Sequence, residues 1–86
     1  MKVFVKLLAR IAEKAVKPEA WIHLNEDSTL QDLLERVAEE LGVKVDLNQE
    51  DIVILVNGRS IEFLNGVKTK LRDEDVVVIM PPAAGG

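Results

Sequence analysis

Residues 28–42 read Ser-Thr-Leu-Gln-Asp-Leu-Leu-Glu-Arg-Val-Ala-Glu-Glu-Leu-Gly, and the spacing of their aliphatic side chains sets the frame for the rest of the chain. Leu30, Leu33, Leu34, Val37, Ala38 and Leu41 fall at i, i+3, i+4, i+7, i+8 and i+11, so on a helix they form a single apolar stripe. Ser28 with Gln31, or Thr29 with Asp32, can pair as a cap that satisfies the first free amides. Gly42 can take the left-handed conformation just past the last turn. A helix with one apolar side needs a surface to lie on. Each large aliphatic side chain it buries is worth roughly 1.5 to 3 kcal/mol before conformational entropy is counted, so the stripe predicts a helix packed on a sheet.

Working outward, Val3, Val5, Leu7 and Ala9 alternate with Phe4, Lys6 and Leu8, which predicts a first strand over 3–9 with Phe4 and Leu8 opposite the core. A second strand is expected over 20–25, with Ile22 and Leu24 inward and Trp21 and His23 on the other side. The connection from Arg10 to Glu19 contains Pro18 and is too long for a tight hairpin, leaving room for a helical turn. Beyond the helix, Asp46 to Asp51 reads as a loop and Ile52 to Val56 as a β-branched strand ended by the strong turn pair Asn57-Gly58. A short extended piece over 60–63, a second turn at Asn65-Gly66 and a turn at Asp73-Glu74-Asp75 follow. Val76 to Met80 is the last strand. Its five consecutive apolar residues predict burial on both faces, which suits the centre of a sheet. With the last strand parallel to the first, the helix must cross one face of a mixed sheet: an α+β fold of the β-grasp, ubiquitin-like kind.

A chain of 86 residues supports one small domain, read as 1–80 with a tail over 81–86, and has no room for a deep substrate cleft, so a self-contained enzyme is not expected. Hydrophobic residues make up 48% and charged residues 30%, a balance that favours an ordered domain over a disordered one. The formal charge of −4 gives no cationic footprint for DNA or RNA. With no cysteine, there are no disulfides, thiolate metal sites or cysteine nucleophile. The opening MKVFVKLLARIAEK interleaves Lys2, Lys6, Arg10 and Lys14 with apolar residues, so neither a signal peptide nor a membrane span is expected and the location is read as cytoplasmic. His23 stands alone without a nucleophile or metal partner and reads as a surface residue. Asp73, Glu74 and Asp75 are explained by a turn before a strand, and no metal is assigned to them.

The chemistry is expected at the end of the chain, Pro81-Pro82-Ala83-Ala84-Gly85-Gly86. Two prolines cannot continue a ladder and stiffen the backbone, while two glycines lack Cβ and can lie in a narrow channel. Two glycines close a chain by chance only about once in 200 at ordinary glycine usage, so the pair calls for a cause. Leu71-Arg72-Asp73-Glu74-Asp75-Val76, the run into Met80 and the ending PPAAGG together resemble the C-terminal signature of the molybdopterin synthase small subunit, MoaD, and of the ThiS-like ubiquitin-fold sulfur carriers. Val56-Asn57-Gly58, the helix opening Thr29-Leu30-Gln31-Asp32-Leu33-Leu34 and the first strand ending Leu-Leu-Ala-Arg fit the same pattern, so the resemblance spans nearly the whole chain. Glu74 departs from it by standing where the family usually has glycine, and the connection from Arg10 to Trp21 is unlike the common form.

This resemblance implies a non-catalytic sulfur-carrying subunit. An E1-like enzyme of the MoeB or ThiF type, using ATP and magnesium that this chain does not itself bind, would adenylate the Gly86 carboxylate. A sulfur donor protein would convert it to a thiocarboxylate, and the loaded tail would enter the large synthase subunit, of the MoaE type, for molybdenum cofactor biosynthesis. Gly85 and Gly86 are then the reacting tip, and Phe4, Leu8, Val78, Met80, Pro81 and Pro82 the expected partner-binding residues. Archaeal small modifiers and related ubiquitin-like modifiers share the fold and ending, so conjugation of Gly86 to lysines is the alternative. Carriers for transfer RNA thiolation or thiamine synthesis belong to the same set.

Overall fold

The computed structural model describes residues 1–48 and 51–82. Its elements run β1 (Lys2–Leu7), α1 (Ala9–Glu13), β2 (Glu19–His23), α2 (Leu30–Leu41), β3 (Val53–Val56), β4 (Arg59–Ser60) and β5 (Val76–Met80), with short 3-10 turns at Ile61–Phe63 and Gly66–Lys68. The sheet order is β2-β1-β5-β3-β4. β1 and β5 are parallel and the other pairs antiparallel, so the fold is the mixed β-grasp sheet with one main helix.

α2 forms where its stripe requires, with Leu30, Leu33, Leu34, Val37 and Leu41 buried. Of the two capping pairs, Thr29 with Asp32 is the one used. The Thr29 hydroxyl accepts from the Asp32 amide at 3.3 Å, and the Asp32 carboxylate accepts from the Thr29 amide at 2.8 Å. Gly42 ends the helix at φ 74°, a left-handed position that disfavours any residue with a Cβ. Beneath the helix, Val3, Val5, Ile22, Ile54, Val77 and Ile79 form the sheet's contribution to a continuous core.

β1 stops two residues short of the expected end. Ala9 does not extend the inward row but turns at φ 54° to begin α1, the helical turn for which the long connection left room. The cause is loss of a partner on both sides. β2 begins only at Glu19, and β5 ends at Met80 before Pro81, whose ring cannot donate to a ladder. The piece over 60–63 is likewise extended only at Arg59–Ser60. The Ser60 hydroxyl then accepts from the Glu62 amide at 3.2 Å and starts a 3-10 turn instead of a longer strand.

The Asn57-Gly58 pair makes the β3–β4 hairpin, with φ 51° and 83°, as a two-residue loop with positive φ at both positions demands. Asn57 also fastens the hairpin to the start of β5. Its side-chain oxygen accepts from the Val76 amide at 2.9 Å and its side-chain nitrogen donates to Asp75 at 2.8 Å. The Asp73-Glu74-Asp75 segment is a turn whose two aspartates are both used by the backbone. Asp73 accepts from the Lys2 amide and Asp75 from the Arg72 amide. Glu74 sits at φ 67°, so the position where the resembled family usually has glycine is also one where a side chain is strained.

Candidate functional site: the outer sheet face and the base of the tail

β5 positions everything that could act. It lies between β1 and β3, so its backbone is held on both sides, and it runs directly into Pro81 and Pro82. Its centre position agrees with the apolar run, but burial on both faces does not occur. Val77 and Ile79 are fully buried, whereas Val76 is 38% exposed and Val78 and Met80 are half-buried. The difference is one of supply: α2 covers only one face, and among the described residues no element lies over the other.

Register fixes what surrounds these outward side chains. Residues paired across a sheet share a face, so Val78 stands between Lys6 of β1 and Leu55 of β3, and Met80 beside Val53. Phe4 lies opposite Val76 on one side and Trp21 on the other. The Phe4 and Trp21 rings are 5.0 Å apart at an interplanar angle of 60°, and the Lys2 ammonium lies 4.8 Å from the Trp21 ring centroid. The tilted rings and the overlying cation satisfy the ring quadrupoles while leaving Trp21 46% exposed.

Leu8 extends the row at the tail end. Its amide donates to the Ile79 carbonyl at 3.0 Å, which continues the β1–β5 ladder by one residue and sets Leu8 opposite Met80 in register. Leu8 is 41% exposed. The expected partner-binding residues Phe4, Leu8, Val78 and Met80 therefore share one face, and Pro81 and Pro82 continue from it. The expected reacting residues, Gly85 and Gly86, lie outside the described residues. Trp21 joins this face beside Phe4, although its spacing in the sequence gave only its side of the strand and not its neighbour.

An open concavity of about 610 Å³ runs past His23, Glu26, Asp32, Glu35 and Arg36 on the helix side of the fold. Among the described residues no cluster of His, Asp or Glu is arranged to hold a metal ion. No helix there is long and apolar enough to cross a membrane.

The fold is that of a ubiquitin-like β-grasp protein, with one apolar sheet face open among the described residues. The ThiS family model matches residues 5–86, and the chain belongs to that family. It is 29% identical over 97 aligned positions to small archaeal modifier protein 3 of Haloferax volcanii, with all of both chains covered. Among solved structures it is similar to a putative molybdopterin converting factor subunit 1 from Pyrococcus furiosus, at 30% identity and a TM-score of 0.75, covering 95% of this chain and 98% of that one. It is also similar, at 26% identity and a TM-score of 0.58 with both chains fully covered, to a chain in the complex of subunits 1 and 2 of the molybdopterin-converting factor from Helicobacter pylori.

Proposed function

We propose that this protein is a sulfur carrier that works through the carboxylate of Gly86 and docks on its partners through the outer face of β1 and β5. One observation carries the reading: the strand that leads into Pro81 and Pro82 is the central strand, its outward side is apolar and uncovered among the described residues, and the ladder places Leu8 and Met80 together beside Pro81. A partner seated on that face would hold the sheet as a rigid base and receive the six residues 81–86 as a probe into its active site. The family match through residue 86 supports the tail as part of the working protein.

In the proposed cycle, an oxygen of the Gly86 carboxylate attacks the α-phosphate of ATP held by an E1-like partner with magnesium, and pyrophosphate leaves. The resulting acyl adenylate has a good leaving group where the free carboxylate had none. The terminal sulfur of a donor's persulfide then attacks the acyl carbon and displaces AMP. A second thiol of the donor cleaves the acyl disulfide, which leaves a thiocarboxylate on Gly86 and a disulfide on the donor. This chain supplies the reacting carbonyl, and the partners supply bases and charge stabilisation. The partner that the resemblance of the ending favours is the large subunit of molybdopterin synthase, in which the thiocarboxylate sulfur would attack the pterin precursor and the Gly86 carboxylate would be regenerated.

The second reading is a protein modifier whose activated Gly86 is captured by a lysine amine instead of a sulfur. The similarity to a small archaeal modifier protein supports it directly. Intact-mass spectra of protein purified from its native cells separate the two. A thiocarboxylate species without lysine-linked conjugates is expected for the carrier. Lysine conjugates without a thiocarboxylate would replace that reading with the modifier.

A further inference from the structure

β2 is an edge strand, and its free side is matched to itself. Leu24 donates to the Met1 carbonyl at 2.9 Å and Leu7 to the Pro18 carbonyl at 2.7 Å, so the positions whose backbone groups turn toward β1 are 18, 20, 22 and 24. By alternation, Glu19, Trp21 and His23 direct their amides and carbonyls away from the sheet. Among the described residues no strand lies on that side. Pro18, which usually blunts an edge, occupies an inward position, so all three outward residues keep an amide to donate.

We infer that β2 is the site at which a second copy of this chain pairs, antiparallel, about a two-fold axis at Trp21. The three outward residues are spaced evenly about Trp21, so the axis sets Trp21 against Trp21 of the other copy and Glu19 against its His23, twice. An imidazole N–H then donates to a carboxylate on each side of the axis. The rows beyond continue the match, because Lys6 is already paired with Glu19 and Lys2 with His23 in β1. Across the seam each row reads Lys6, Glu19, His23, Lys2, with the carboxylate between two donors. The central row reads Phe4, Trp21, Trp21, Phe4, extending the tilted ring pair into a ladder of four aromatics. The two β5 strands then run in opposite directions, so Pro81 and Pro82 of the two copies lie at opposite ends of the joined sheet. One five-residue edge buries far less than a standard stable interface, so the association is weak and concentration-dependent.

The test uses the whole chain. Hydrogen exchange measured by NMR at rising protein concentration should slow at the amides of Glu19, Trp21 and His23 and stay constant at Ala20 and Ile22, while sedimentation shows a monomer–dimer equilibrium. His23→Glu places two carboxylates opposite each other at both ends of the seam and should weaken dimerisation about tenfold or more, while melting as the parent does. Combining it with Glu19→His exchanges the partners and should restore dimerisation. A monomer at every concentration, or a dimer that forms without slowing those three amides, would overturn the inference. So would a dimer indifferent to His23→Glu, or a double variant no tighter than the single one.

Discussion

Val77 and Ile79 point from β5 into the core and are fully buried, while Val76, Val78 and Met80 from the same run of five look outward and keep part of their surface in water. Both sets are apolar, and both sit on the strand best held by its neighbours. What separates them is cover. α2 lies on one side, and burial there is intramolecular and contributes to folding. On the other side nothing in the described chain lies over the strand, so the same kind of side chain is left to contribute to association. An apolar outer face on a central strand is tolerable in a small domain when a partner uses it.

The comparison predicts a sharp split between neighbouring residues. Ile79→Ala, deleting fully buried methyls, should cost about 2 to 5 kcal/mol in urea unfolding, whereas Val78→Ala one residue away should cost roughly 1 kcal/mol or less. Equal losses would mean that the outer face is packed as tightly as the core.

Charge on the outer face should invert the pattern. Leu8→Asp or Met80→Asp leaves the core intact, yet buries an unpaired carboxylate once a partner is seated. Stability should then change by no more than about 1 kcal/mol, while affinity for the activating enzyme or synthase subunit falls at least about tenfold. Calorimetry that finds unchanged affinity and unchanged melting would remove this face from the docking account.

The smallest effect concerns a residue that serves neither face. Glu74 is held at φ 67°, where a side chain is strained, so Glu74→Gly relieves backbone strain but frees the unfolded chain. The net expectation is a gain on the order of 0.5 kcal/mol in thermal unfolding, with no change in partner affinity. A loss of stability would show that the Glu74 side chain contributes something its exposed position does not reveal.

How much of this was legible in the sequence depended on whether the signal was local. The α2 stripe, its Gly42 end and the Asn57-Gly58 hairpin depend on residues within a few positions of one another, and each formed as the spacing required. The choice of Thr29 with Asp32 over Ser28 with Gln31 could not be read in advance, because Ser28 is drawn inward by its bonds to Asn25 and Leu71, which sequence does not display. Ala9 misled for a related reason. Alternation continues through it, but a strand ends when its partners end, and those lie at Glu19 and Met80. The outward placement of Phe4, Leu8, Val78 and Met80 agrees with the expectation, since all four fall outside the core. The shape of that face was not legible, because the Lys2–Trp21–Phe4 stack depends on the β1–β2 register. The apolar run of β5 correctly indicated a central strand, but composition could not tell a face covered by α2 from one open to solvent.

The central claim is that activity resides in the tail and is separable from the fold. Full-length protein, a Gly86 deletion and Gly85→Val should be incubated with the cognate E1-like enzyme, magnesium ATP and a sulfide source, then compared by intact mass and thermal melting. Exchange of one oxygen for sulfur is expected in the full-length protein alone, with all three melting alike, because the core of the described residues ends at Ile79 and their last strand at Met80. Efficient thiocarboxylation of the Gly86 deletion would contradict it.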